Sequence, residues 1–262
     1  MIIMALLWFV LGAGMGSFMM CQVWRIKTGD KSKWSHCMNC GERLKWYDNV
    51  PVLSWLILRG KCRSCGKKIG VAEFLSEILM GGLFLAVGLV WKDWTFFGVS
   101  QLVAFLALIV GLMGLFVYDA KWRRLPNVLL AYTVICAVIL VALRIGALVS
   151  ESQLTGLVLL DYSGALAILP GVYFFLYKLS REQWVGGGDY ILCIALALAL
   201  GKFWLAFFVL FLANLMGSLI SVPIVLSGKK GAKIAFGPFL ILAFLLVFFF
   251  GDAILAMGVF SF

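Results

Sequence analysis

The chain is 262 residues long, 64% hydrophobic and 13% charged, with a net charge of +10 and a mean hydropathy of +1.07. Ordinary globular domains run at about 45–50% apolar and about 25% charged, so a water-soluble fold is excluded: at this size it has too little interior to hide so much apolar surface. Disorder is excluded by the same numbers, and the basic residues sit dispersed between hydrophobic segments, which suits membrane topology rather than a nucleic-acid-binding face, so no nucleic-acid partner is expected.

In chain order, apolar runs predict eight membrane-spanning helices, at 2–24, 71–91, 94–118, 127–149, 157–177, 189–200, 203–227 and 236–258. A helix needs about 20 residues to cross a hydrocarbon core of about 30 Å, and most of the runs have them. The sixth, Tyr190 to Leu200, is cut short by Gly201 and Lys202 and reaches full length only by borrowing polar residues from Trp184 to Gly188. The first run has no basic start and continues into Trp24 and Arg25, so it reads as a retained helix and not as a signal peptide. The expectation is an all-α polytopic membrane protein in three parts: a first transmembrane helix over 1–24, a cytoplasmic loop over 25–69 and a helical membrane core over 70–262.

Putting the loop in the cytoplasm fixes the side of every later connection. Nineteen of the 22 Lys and Arg then fall inside, including Lys121, Arg123, Arg124, Lys178, Arg181, Lys229, Lys230 and Lys233. Only Lys92 and Lys202 fall outside, with Arg144 within the fourth span. This is the asymmetry of the positive-inside rule. Eight crossings place both termini outside the cytoplasm.

Within the loop, Cys37 and Cys40 form a C-x2-C pair that is repeated 21 residues later by Cys62 and Cys65; a glycine, Gly41 or Gly66, follows each pair. This is zinc-ribbon spacing, and the glycines permit the tight turns that aim backbone N–H groups at thiolate sulfurs. A reducing cytoplasm favours metal ligation over the alternative of two disulfides. Four thiolates close a tetrahedral shell, so the zinc would be structural. Cys21, Cys136 and Cys193 fall in apolar runs and read as small hydrophobic residues. The single histidine, His36, rules out an H-E-x-x-H zinc site and leaves one imidazole for any Ser-His-Asp triad. It reads as a solvated loop residue beside Cys37.

Acids at membrane depth are costly, so the twelve in this chain are informative. Asp119 ends the third span and Asp189 opens the sixth, both at the cytoplasmic boundary. If the third and sixth helices are neighbours, the two carboxylates meet, and one keeps a proton because both cannot readily ionise in a partly dehydrated site. An acid and a base around one water is the chemistry of an aspartic protease. Gly186, Gly187 and Gly188 would let an extended peptide come close to the backbone. The competing reading of Asp119 is a partner for the nearby Lys121, Arg123 and Arg124. Glu73, Glu77, Asp161 and Asp252 read as interhelical hydrogen bonds or ion pairs, with a carboxylate path for an ion or solute transporter as the functional alternative.

Several stretches, in order, resemble the type IV prepilin peptidases, integral-membrane aspartic leader peptidases of pilus, type II secretion and competence systems. The opening GMGSFMMCQVWR is similar to that family's Gly-Ser-Phe start. The loop from Ser35 to Gly70 resembles its cysteine-bearing loop, including the tract Trp46 to Trp55. Asp119 with Leu125, Pro126 and Asn127 matches the first catalytic aspartate and its downstream Pro-Asn. Gly186, Gly188 and Asp189 match the second, in a GxGD element, and Phe236-Gly237-Pro238-Phe239 matches a late motif. The chain departs from the pattern at Ile191, Met20 and Ala235, where lysine, asparagine and proline are usual.

The resemblance implies cleavage of the leader of prepilins or pseudopilins at the cytoplasmic face, after glycine, by Asp119 and Asp189. It also implies N-methylation of the new terminus with S-adenosylmethionine, for which the 25–69 loop is the expected region, although no residue by itself marks a methyl-donor site. Prepilins or pseudopilins and membrane lipid are the expected partners. The rivals are a transporter and a non-catalytic assembly scaffold that keeps the zinc ribbon for docking.

Overall fold

The computed structural model describes residues 2–181, 185–226 and 235–256. Trp184, Lys229, Lys230 and Lys233 lie outside the described residues, as does the side chain of Asp252. The chain divides into two compact units, Met1–Trp94 and Thr95–Phe262.

The first unit contains α1 (Ile2–Thr28), a 3₁₀ turn over Trp46–Asn49, the short α2 (Leu53–Ile57) and α3 (Val71–Val90). Helices α1 and α3 pack together along a seam of small residues. On α1 the buried positions are Gly12, Ala13, Gly16, Met19, Met20 and Val23. A Cβ on Gly12 would strike the Met80 carbonyl, and one on Gly16 would lie 2.8 Å from the Ser76 carbonyl. The Gly-Ser-Phe opening therefore marks the place where two apolar helices approach to backbone contact.

The second unit contains α4 (Phe96–Trp122), α5 (Asn127–Ser150), α6 (Gly156–Leu179), α7 (Gly187–Leu200), α8 (Phe203–Leu226) and α9 (Gly237–Ala256). Helix α4 is its centre: 61% of its most apolar window is buried, against 33% or less in every other long helix. It packs on α5 and α9, and α7 packs on α5, α6, α8 and α9.

The eight apolar runs thus appear as α1 and α3 to α9, and the protein is an all-α, multi-pass membrane protein. Six helices are long and apolar enough to cross a membrane, while α7 and α9 are shorter apolar helices. Fourteen residues make α7 only about 21 Å long at 1.5 Å per residue, so its two ends cannot both reach the surface of a hydrocarbon core of about 30 Å. The polar partners at those ends follow from this. Asp189 sits in the first turn, and Arg144 donates to the Ala199 carbonyl near the last, where the negative end of the helix dipole lies.

Candidate active site and metal centre

Asp119 lies one turn before the end of α4. Arg123 adopts a left-handed conformation, φ 54°, and donates its N–H to the Asp119 carbonyl, which stops the helix there. Pro126 then precedes the first residue of α5, its fixed φ suited to a helix start. The turn so formed swings Leu125 toward the aspartates. Asn127 opens α5 and is exposed.

Asp189 sits in the first turn of α7, where its Oδ2 accepts the Gly186 N–H at 3.1 Å. Gly186 is exposed, and a Cβ on Gly187 would make only ordinary contact with Tyr177. Gly188 differs: its Cβ would fall 2.7 Å from the Leu125 Cβ. The α7 backbone therefore presses directly on the α4–α5 turn.

A third segment completes the assembly. Gly237, the first residue of α9, donates its N–H to Asp119 Oδ2 at 3.0 Å, and a Cβ there would meet both that oxygen and Leu125. Asp119 is 4% exposed and Asp189 is half-buried, and Leu125 lies against both Gly188, next to Asp189, and Gly237, whose amide holds Asp119. The two acids are therefore brought together, with α5 and α9, which each contact both α4 and α7, supplying most of the packing between those helices. Of the segments involved, the sequence motifs contain Leu125 and Gly237, but their positioning roles are visible only in three dimensions.

The cysteine loop is built from two equivalent turns. The Cys37 amide donates to Glu42 and the Gly41 amide to Cys37; in parallel, the Cys62 amide donates to Lys67 and the Gly66 amide to Cys62. Gly41 and Gly66 have φ values of 71° and 70°, the left-handed backbone that glycine adopts without strain. All four sulfurs lie within 4.8 Å of one another, and tetrahedral zinc with Zn–S bonds of about 2.3 Å spaces its sulfurs at about 3.8 Å. The cluster could therefore hold zinc, and the donor set fits it. The Lys67 amide and the Asn39 side chain hold the Cys65 thiol down to about 6, easing the formation of a ligating thiolate. His36 is turned away, toward Asp30 at 3.6 Å and the Trp24 ring.

Glu77 and Asp48 have local tasks. Glu77 Oε2 accepts the Val52 N–H at 2.7 Å, tying α3 to the loop. This is a hydrogen bond to a loop amide where an interhelical one was expected. Asp48 receives two bonds from Arg63, at 2.8 and 2.9 Å. Asp161 is exposed on α6.

A model of the bacterial peptidase A24 N-terminal domain matches residues 10–91, and a model of the type IV leader peptidase family matches residues 106–222. A prepilin leader peptidase/N-methyltransferase of Vibrio cholerae is 33% identical over 218 residues, covering 82% of this chain and 80% of its own. The chain belongs to the type IV leader peptidase family. A relative of the same name from Dichelobacter nodosus is 31% identical, with 84% of this chain and 72% of its own covered; one from Pseudomonas aeruginosa is 29% identical, with the same coverage. No solved structure matches the chain. Within the family match, Asp119 falls in the leader peptidase segment with Asp189, and the four cysteines fall in the N-terminal one.

Proposed function

We propose that this chain is a membrane aspartic endopeptidase that removes the leader from type IV prepilins or pseudopilins after a glycine and then N-methylates the exposed terminus. The observation that carries the reading is the joining of Asp119 and Asp189 through Leu125, Gly188 and Gly237 inside a family match. Each carboxylate has its Oδ2 on a backbone amide, Gly237 for Asp119 and Gly186 for Asp189, which leaves Oδ1 of each for the attacking water in this reading. One aspartate takes a proton from that water as it attacks the peptide carbonyl, and the other donates a proton to the carbonyl oxygen. No acyl-enzyme forms. Gly186, Gly187, Gly188, Pro126 and Asn127 form the rim that an extended substrate meets.

The Lys and Arg distribution supports a cytoplasmic active site in a bacterial inner membrane. The fit of the four thiols supports a structural zinc held by Cys37, Cys40, Cys62 and Cys65. S-adenosylmethionine is the methyl donor that the second activity requires. In the three-part organisation proposed here, a helix over 1–24, a zinc loop over 25–69 and a peptidase core over 70–262, the four thiols and the two aspartates fall in different segments.

The test is prepilin cleavage in detergent, followed by mass spectrometry of the product terminus, for wild type, Asp119→Ala and Asp189→Ala. Both folded variants are expected to lose at least about 10³-fold in rate, within the range for removing a general acid or base. The wild-type product is expected to be one methyl group heavier than the bare mature chain. Cleavage that persists in either variant overturns the dyad.

A further inference from the structure

Asp119 is held by an amide at the very start of α9, so whatever fixes that start also fixes the carboxylate. Gly237 is the first residue of α9, and its N–H reaches Asp119 Oδ2 at 3.0 Å. The residue before it, Phe236, supplies the carbonyl that accepts the Phe239 and Leu240 amides of the first turn. The Phe236 ring is therefore coupled directly to the position of the Gly237 amide.

Two other helices grip that ring. From α6, the Tyr173 ring stands 5.6 Å from the Phe236 ring at an interplanar angle of 53°, within the tilted geometries that aromatic pairs favour. From α8, Gly217 comes so close that a Cβ there would lie 3.1 Å from the Phe236 ring. The two gripping helices are tied to each other by one polar bond: Asn214 Nδ2 donates to the Tyr173 hydroxyl at 2.9 Å, and to the Leu210 carbonyl of its own helix at 2.8 Å. Tyr173 is buried, whereas Asn214 is exposed midway along α8. A polar side chain at that depth on an apolar helix is costly in lipid and calls for a partner on another helix or a function. The neighbours of Tyr173 on α6 serve the other carboxylate's segment: the Phe174 and Tyr177 rings lie 5.5 and 5.4 Å from Tyr190, which follows Asp189.

We propose that Tyr173 and Asn214 are positioning residues for the peptidase: the amide–hydroxyl bond sets Tyr173, Tyr173 sets Phe236, and Phe236 sets the Gly237 amide on Asp119. The inference rests on the Asp119–Asp189 reading above and adds to it two residues that act through a third. A phenyl ring at 173 would fill the same space, so the hydroxyl contributes only the bond to Asn214, which fixes how the ring leans on Phe236.

The experiment uses the full chain in detergent micelles and reads kcat and KM for prepilin cleavage beside the Gly237 amide signal of ¹⁵N-glycine-labelled protein, identified by its shift in Asp119→Ala. Tyr173→Phe and Asn214→Leu are each expected to lower kcat about tenfold with KM unchanged, as misplacement of a reacting group does, and to move the Gly237 signal toward its place in Asp119→Ala. The double variant is expected to lose no more than either single one, since both break the same bond. Ser218→Ala, one turn further along α8 with its hydroxyl on the Leu215 carbonyl of its own helix, is expected to keep the wild-type kcat. A folded Tyr173→Phe with wild-type kcat, or a fall in kcat with the Gly237 signal unmoved, overturns the positioning role while an inactive Asp119→Ala keeps the catalytic reading. An Asp119→Ala variant that still cleaves overturns that reading, and the positioning role with it.

Discussion

A single methyl group on Gly237 would come within 2.8 Å of Asp119 Oδ2, and one on Gly188 within 2.7 Å of the Leu125 Cβ. Gly187 has room, its nearest neighbour lying at 3.5 Å. The three glycines should therefore behave differently, although two of them are adjacent in the same motif. Gly188→Ala and Gly237→Ala are each expected to slow prepilin cleavage by tenfold or more, because small displacements of a catalytic group are costly, and Gly187→Ala is expected to cost much less. Initial rates at saturating prepilin, with helicity as the folding check, decide it; equal losses in all three would mean that the close approach to Leu125 and Asp119 is not what holds the site. The two aspartates stand out in the sequence as acids at helix ends in an apolar chain, but it is the motifs around them that resemble the family which single them out. The part played by Gly237 is not legible there, since its amide reaches an acid 118 residues earlier in the chain and leaves no local pattern.

At the scale of elements, α1 and α3 are held by fit more than by polarity. In lipid there is no hydrophobic drive between helices, so close packing of small residues supplies the attraction. Gly12, Gly16 and Gly81 all sit where a Cβ would collide with the facing helix, whereas nothing lies within 4 Å of the Cβ position of Gly14. Gly16→Leu is expected to destabilise the first unit by about 1–3 kcal/mol, the usual cost of overpacking, and Gly14→Leu to leave it unchanged. Thermal unfolding in detergent, followed by tryptophan fluorescence, distinguishes them, and identical midpoints for the two variants would refute the seam. The existence of every long helix is legible from hydropathy alone, because about 20 apolar residues admit few other fates. Which helices touch is not legible, since the runs are apolar on all sides and carry no face. The loop stands between these cases: its cysteine spacing foretells the paired turns, but nothing in Glu77 announces that it will bind the Val52 amide.

For the whole molecule, the hydrogen bonds to the two aspartates come from Gly186 and Gly237, within the second unit, whereas the four-cysteine cluster belongs to the first. Removing the metal should therefore affect the two activities unequally. The described loop contains only two isolated β-bridges and short helical turns, too little regular structure to stay folded by itself, and in small metal-centred modules most of the folding energy comes from the ion. Cys62→Ser, which deletes the buried ligand of the four, is expected to abolish stoichiometric zinc and to raise amide exchange across residues 31–69. Because the proposed function gives methyl transfer to this loop, which lies within the N-terminal-domain match, methyl transfer should fall to background, while leader cleavage retains a measurable rate. Metal analysis, hydrogen exchange and product mass spectrometry on the same preparation test each step. If cleavage and methylation fall together in proportion, the loop is serving substrate capture for both reactions, and the separation of the two chemistries along the chain is wrong.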